Sequence, residues 1–474
     1  MIKSYPYTSK RTVVYAKNGM VATTQPLAAQ AGLDILKLGG NAIDAAIAVA
    51  AALTVVEPTS NGIGGDNFAI VYKDKKIYGL NSSGPAPEKL SLNALKERNL
   101  SEIPKFGFVP VTVPGAVAGW AELSRKLGKL DFKEVLKPAI RYAREGFPVS
   151  PTVAYHWQSA HQIYQKQLQG NAFSYWFETF THNQRTPFEG EIWKLPLHAN
   201  TLEEIAKTHG ESFYRGYLAD QIDAFSRYYD GLIRKSDLEK YKPEWVEPLS
   251  TNYKGYDVYE LPPNGQGLIA LMALNIMENF KLKKRETVLS YHKQIEAMKL
   301  AFVDGLHYIS EPDTMTMQVK HLLSKDYAKA RAKIIKKEAM NPVHGKPRQS
   351  GTVYLATADQ DGNMVSMIQS NYMGFGSGLV VPNTGIALHN RGHNFSLNPE
   401  SSNCLDSNKR PYHTIIPGFL TKNGHALGPF GVMGGFMQPQ GHLQVVMNLI
   451  DFNMNPQSAL DAPRWQWIEG KKVS

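Results

Sequence analysis

The first residue in this 474-residue chain with a reason to do chemistry is Thr352. It opens a run, TVYLATA, that reads as a strand over 352–358, and it follows a polar stretch over 338–351 broken by Pro342, Gly345 and Pro347. A threonine hydroxyl is a weak nucleophile until a base takes its proton. If the peptide bond before it is cut, the new α-amino group lies beside that hydroxyl and can serve as the base. Gly351 suits such a cut. It has no side chain to shield its carbonyl, and it tolerates the twisted backbone that an N→O acyl shift needs. Other candidates point elsewhere. The loop from Gly62 to Asp66 lacks the Lys-Ser/Thr ending of a phosphate loop, and Asp44 and Asp66 read as caps or braces. His389, His393 and His413 do not have the helical spacing of a zinc site, so no metal is expected there.

The elements that must hold Thr352 change character along the chain. Short strands are expected over 12–15 and 20–24. A helix over 26–38 ends at Gly39-Gly40, and Asn41 caps a second helix over 42–55 that is apolar almost all round, hence buried. A hairpin over 67–73 and 76–80 turns at Asp74-Lys75. The middle reads as helical over 114–126, 132–144, 202–208, 219–229, 267–279, 287–308 and 325–336. Beyond the loop come strands over 352–358 and 363–369 around the turn DQDG, strands over 414–420 and 425–431 around KNG, and a helix over 438–450. Strand pairs meeting long apolar helices imply a layered α/β (α+β) fold, a four-layer αββα sandwich.

Composition sets outer bounds. The net charge of +10 raises the possibility of an acidic partner. The basic runs, KLKKR at 281–285 and KIIKK at 333–337, carry no interleaved aromatic side chains and read as solvated helix faces, so no nucleic-acid partner is expected. The single Cys404 excludes an intrachain disulfide. The N-terminal MIKSYPYTSKRTVVYA has no apolar stretch of signal-peptide length, and the longest apolar run, 42–56, carries Asp44 and is too short to span a bilayer. No membrane partner and a cytoplasmic location are expected.

Seven segments, in order, resemble the γ-glutamyltranspeptidase family of N-terminal nucleophile hydrolases. They are GGNAIDAA at 39–46, EPTSNGIGGD at 57–66, VPGAVAG at 113–119, PPNGQG at 262–267, TVYLATADQDGN at 352–363, KRP at 409–411 and Gly434-Gly435. The match runs over about 12–465. The resemblance implies a self-cleaving amidohydrolase or acyltransferase of αββα fold without metal or cofactor. Gly351-Thr352 would be the processing bond, Thr352 the nucleophile and Ser370 the hydroxyl that helps activate it. Gly434 and Gly435 would form the oxyanion hole. His413 and Thr414 fall at a substrate-carboxylate contact. It further implies a large-subunit segment, 1–351, and a small-subunit segment, 352–474, which associate in one integrated fold. The substrate would be a γ-glutamyl or related acyl amide, with water, an amine or a peptide as acceptor.

The same comparison shows departures. Asn394 stands where the family has an Asp, Arg391 where it has an acidic or amide residue, and Tyr372 where it has a substrate-binding Asn, with Asn371 adjacent. No Arg stands near 82–90, where the family's carboxylate anchor lies, and Lys89 is the nearest cation. A ligand ammonium thus loses a carboxylate and meets a guanidinium, which directs expectation towards a donor with a distal carboxylate and no α-amino group. A glutaryl or cephalosporin-type acylase is one alternative reading, and an uncleaved non-catalytic relic is another. The resemblance ends near 459–467, where family members continue for several dozen residues, so the small-subunit segment is expected to be C-terminally incomplete.

Overall fold

The computed structural model describes residues 7–8, 11–342 and 351–474. The first six residues, and positions 343–350 of the loop expected over 338–351, lie outside the described residues.

The early part of the chain lays down β1 (Gly19–Thr23), α1 (Pro26–Lys37), α2 (Ala42–Val56), β2 (Asp66–Lys73), β3 (Lys76–Ser82), α3 (Ala116–Leu127) and α4 (Phe132–Glu145). Further on come β4 (Glu244–Val246), β5 (Leu249–Tyr253), β6 (Tyr256–Glu260), α5 (Gly267–Met277) and α6 (Val288–Tyr308). After residue 351 follow β7 (Gly351–Asp359), β8 (Met364–Tyr372), β9 (Gly418–Lys422), β10 (His425–Phe430) and α7 (Met437–Ile450). A six-stranded antiparallel sheet runs β1-β7-β8-β2-β3-β4, and a four-stranded one runs β10-β9-β6-β5. Both sheets therefore mix strands from either side of Gly351-Thr352.

Helix α2 shows why the layers stack as they do. All of its residues are buried, as expected of a helix with no polar face. The Asn41 side chain accepts from the backbone N–H groups of Ile43 and Asp44, and the Asp44 carboxylate accepts back from Asn41 N. Asp44 also accepts from Lys129 N and Leu130 N, so it is a brace, as its position suggested. The helix lies on one face of the six-stranded sheet, against β7 and β8. Helices α5 and α7 cover the outer side of the four-stranded sheet.

Side-chain alternation divides each inner strand between the two faces. Ala69 and Val71 of β2, Val353 and Leu355 of β7, and Val365 and Met367 of β8 join the core under the helices. Phe68 and Ile70, with Tyr354 and Ile368, point the other way, into the space between the sheets, where they meet Leu261, Ile415 and Phe419. This parity decides the site. Asp66, Thr352 and Ser370 fall in the inter-sheet register, at one end of the sandwich.

Some expectations need correction. Residues 12–15 form no strand, and pairing begins at Gly19. The strand expected over 414–420 starts only at Gly418, because 412–416 is held in a separate irregular segment described below. KLKKR is not a helix face. It lies in the connection between α5 and α6, where Arg285 turns inward to Asn448 Oδ1 and Tyr291. The β5–β6 hairpin, half of the second sheet, was not anticipated at all. The hairpin at Asp74-Lys75 is as expected, with both residues in the left-handed region (φ 52° and 61°) that a two-residue turn requires. Among the described residues, no helix is long and apolar enough to cross a membrane.

Candidate active site

Strand β7 delivers Thr352 to the inter-sheet face at its first turn of the pleat. The residue is 4% exposed, and its Oγ1 donates to Ser370 Oγ on the neighbouring β8 at 3.3 Å. Ser370 Oγ also accepts from Tyr372 N at 2.8 Å. The β7–β8 register shifts between Gln369 and Tyr372, and Tyr372 takes a positive φ of 74°. That bulge lets Tyr372 pair with Gly351 while its ring turns beneath the Arg391 guanidinium, 4.5 Å away. The Tyr372 hydroxyl donates to Asn394 Oδ1 at 2.5 Å, and Asn394 Nδ2 donates to Tyr412 O.

Behind this layer sits a fully buried charge cluster around Asp66. Its Oδ2 receives Arg391 Nε at 3.0 Å and His413 Nε2 at 2.9 Å, with His389 Nδ1 at 3.3 Å. Burial alone would raise the Asp66 pKa, but His389, His413 and Arg391 together hold it well below the usual carboxylate range. His413 is pushed down to about 3 by burial and by the Arg391 charge, against the pull of Asp66. It is therefore neutral. Its Nδ1 accepts from Ile415 N and its Nε2–H donates to Asp66. The ring lies against Phe68, with centroids 4.6 Å apart. Arg391 Nη1 donates to Thr414 Oγ1 at 2.8 Å, whereas Arg391 Nη2 has no hydrogen-bond partner among the described residues.

The glycine pair stands immediately before α7. Gly434 and Gly435 have φ values of 105° and 58°, which residues with a β-carbon rarely adopt. Their carbonyls accept from Met437 N and Gln438 N, closing the first turn of the helix. Because a trans peptide sets N–H opposite C=O, the Gly435 N–H points away from that turn. The loop reaches the site beside Tyr354, two residues past Thr352. A Cβ on Gly431 would come within 2.3 Å of the Tyr354 ring. A single side chain ties this loop to the segment around Tyr412 and Thr414. Gln266 Nε2 donates to Thr414 O at 2.6 Å and to Gly435 O at 2.8 Å, and its Oε1 accepts from Tyr412 OH at 2.8 Å.

The sequence-derived residues thus form one connected set. Thr352 contacts Ser370, Ser370 contacts Tyr372, Tyr372 lies under Arg391, and Arg391 reaches Thr414, which Gln266 joins to Gly435. His413 belongs to the set as well, but both of its ring nitrogens are engaged. Lys89 does not belong, being exposed on the surface. Gln266 lies within PPNGQG, and nothing in that segment marks it as a positioning residue. Its spacing after two prolines and a glycine gave no signal, because its partners lie about 150 residues away (|i−j| 148 and 169). His389 contributes to the Asp66 cluster, and His393 Nδ1 instead pairs with Ile103 O. A cleft of about 1040 Å³, bordered by Thr23, Tyr354, Met433 and Trp465, adjoins the glycine loop but includes neither Thr352 nor Arg391.

Comparison with known proteins identifies the family. The γ-glutamyltranspeptidase family pattern matches residues 28–471. The chain is 37% identical over 455 residues to the glutathione hydrolase-like YwrD proenzyme of Bacillus subtilis, covering 94% of this chain and 85% of that protein. It is 33% identical to the oxamate amidohydrolase proenzyme of Klebsiella pneumoniae, with 94% and 85% covered. The crystal structure of a cephalosporin acylase from Bacillus halodurans superposes with a TM-score of 0.96 at 60% identity, covering all of this chain and 88% of that one. The αββα sandwich is that of the N-terminal nucleophile hydrolases, and with a family match across nearly its whole length the chain belongs to the γ-glutamyltranspeptidase family and is an enzyme of that kind.

Proposed function

We propose that the chain cuts itself between Gly351 and Thr352 and then cleaves γ-glutamyl or related acyl amides through an acyl-Thr352 intermediate. The observation that carries this reading is the Thr352 hydroxyl, set at the start of an inner strand and donating to Ser370 Oγ. The proenzyme names of two relatives and the acylase name of a third support the chemical class.

In the first step Thr352 Oγ attacks the Gly351 carbonyl, and the acyl group moves from nitrogen to oxygen. Water then splits the ester, leaving the Gly351 carboxylate and a free Thr352 α-amino group. That amine takes the hydroxyl proton in each later turnover. Attack on the donor amide forms a tetrahedral intermediate whose oxyanion the N–H groups of Gly434 and Gly435 receive, a contribution of roughly 3–4 kcal/mol per donor in comparable sites. The amine passes its proton to the leaving nitrogen, and water or an acceptor amine removes the acyl group from Thr352.

The test is a mass measurement joined to N-terminal sequencing. Purified protein should contain a fragment beginning at Thr352. Thr352→Ala should remain one chain and hydrolyse no acyl anilide. A Thr352→Ala protein that still cleaves itself or its substrate would refute the mechanism.

A further inference from the structure

We infer that Arg391, rather than any residue near 82–90, receives a carboxylate carried by the acyl donor, and that the donor needs no α-ammonium. This inference rests on Thr352 being the nucleophile of the same site.

Arg391 is fully buried, yet only part of its hydrogen-bonding capacity is used. Nε is committed to Asp66 and Nη1 to Thr414 Oγ1, while Nη2 has no partner among the described residues. A buried guanidinium with an unmet donor is costly unless an acceptor arrives, and a carboxylate is the acceptor that best matches its planar fork. Stacking on Tyr372 and the Asp66 contact fix the plane of the group, so little ordering remains to be done when an anion binds.

Position favours a substrate group over a purely structural one. Tyr372, over whose ring the guanidinium lies 4.5 Å away, donates its N–H to Ser370 Oγ, which in turn accepts from Thr352 Oγ1, so a short run of direct contacts links the guanidinium to the nucleophile. A short acyl chain attached to Thr352 spans such a run. In the uncut chain the strand neighbour of Tyr372 is Gly351 itself. Cleavage frees Gly351 from Thr352 and so releases the chain beside the guanidinium.

The other charges argue against a required ammonium. The residue placed at the far side of Tyr372 is Asn394, which is neutral and already accepts the Tyr372 hydroxyl. The carboxylate of this cluster, Asp66, commits its Oδ2 to Arg391 and His413, with His389 close by, and its charge is already balanced by the Arg391 guanidinium, while its Oδ1 has no hydrogen-bond partner among the described residues. An ammonium in this layer would have to share Asp66 with the guanidinium and stand close to that like charge. The substrate class is therefore the monoamide of a dicarboxylic acid.

The experiment compares three anilides on processed wild-type protein and on Arg391→Gln: glutaryl, γ-glutamyl and pentanoyl. Wild type should prefer glutaryl over pentanoyl by about 100-fold in kcat/KM, as expected for one charge-assisted pair, and should gain nothing from γ-glutamyl over glutaryl. In Arg391→Gln the glutaryl-to-pentanoyl ratio should collapse towards one, and a ratio is insensitive to how much protein is folded. A wild type indifferent to the carboxylate, an unchanged ratio in the variant, or a tenfold preference for γ-glutamyl over glutaryl overturns the inference while leaving the nucleophile intact. Failure to cleave any of the three overturns the nucleophile and this inference together. If Arg391→Gln does not fold, competition on wild type decides. Glutaramate, which keeps a carboxylate, should inhibit at least about tenfold more tightly than pentanamide, which has none, and equal inhibition overturns the assignment.

Discussion

Replacing Gln266 by Met isolates the contribution of one side chain to the oxyanion site proposed at Gly434 and Gly435. The two residues are similar in volume, so the change opens little cavity. What it removes are the donations to Thr414 O and Gly435 O and the acceptor for Tyr412 OH. Each buried carbonyl left without its donor costs about 1–3 kcal/mol, although Gly435 O keeps its bond from Gln438 N. The protein should thus lose about 2–4 kcal/mol of stability, visible in urea unfolding. The catalytic effect follows from geometry. Gly435 O keeps Gln438 N but loses its second, side-chain donor, and the loosened residue lets the Gly435 N–H drift off the oxyanion position. Losing half of a donor worth about 3 kcal/mol lowers kcat about tenfold, and losing all of it lowers kcat more than 100-fold. KM should change by less than about threefold, since the donor contacts at Arg391 are kept. Steady-state hydrolysis by the processed variant, corrected for active sites by titration, reads both parameters. A folded, processed Gln266→Met enzyme with kcat within about twofold of wild type would refute the argument that Gln266 positions the hole.

Other consequences can be checked independently. Ser370→Ala removes the partner of Thr352 Oγ1 and of Tyr372 N; at about 1 kcal/mol for the hydroxyl bond, kcat should fall about five- to tenfold, with slower self-cleavage in a gel time course. Burial pushes His198 down to about 4, and burial with the Arg391 charge pushes His413 down to about 3. Both are neutral when folded and titrate near 6.5 when unfolded. Stability is therefore fully present above that value and falls as pH drops towards about 4, by about 1.4 kcal/mol per unit for each imidazole. Urea unfolding between about pH 7 and pH 5 should show this slope, and His198→Leu should remove about one proton's share of it; a flat profile contradicts the assignment. Asp66, whose folded pKa is lowered, adds its own loss only below the range where an unfolded Asp titrates. Lys299 and Glu296 form a buried pair (both side chains 1% exposed) that clamps Met340 N and O. Lys299→Met alone should cost about 3–5 kcal/mol in chemical denaturation, and Glu296→Gln combined with it should recover much of that loss.

The residue types and their order determined a good deal by themselves. Alternation in TVYLATAD placed Thr352 on one face of a strand, and the all-round apolarity of 42–55 made a buried helix, because side-chain period and burial are local properties of the chain. The seven segments carried the family, and from it came the proposal of Thr352 as nucleophile. Tertiary structure alone decided the rest. The parity that sends Thr352 and Ser370 into the inter-sheet space has meaning only once α2 covers the opposite face. Half of the second sheet, the β5–β6 hairpin, was not read from its residues, because a short two-stranded ribbon acquires its stability by pairing with β9, more than 150 residues later. Arg391 was legible as a misplaced charge, but not that Asp66, His413 and Tyr372 would fix its plane and leave Nη2 unmet. Nor could Gln266 be found, since its role consists of two carbonyls that only the folded chain brings within reach. Long-range hydrogen bonds between a side chain and a distant backbone leave no periodicity in a sequence.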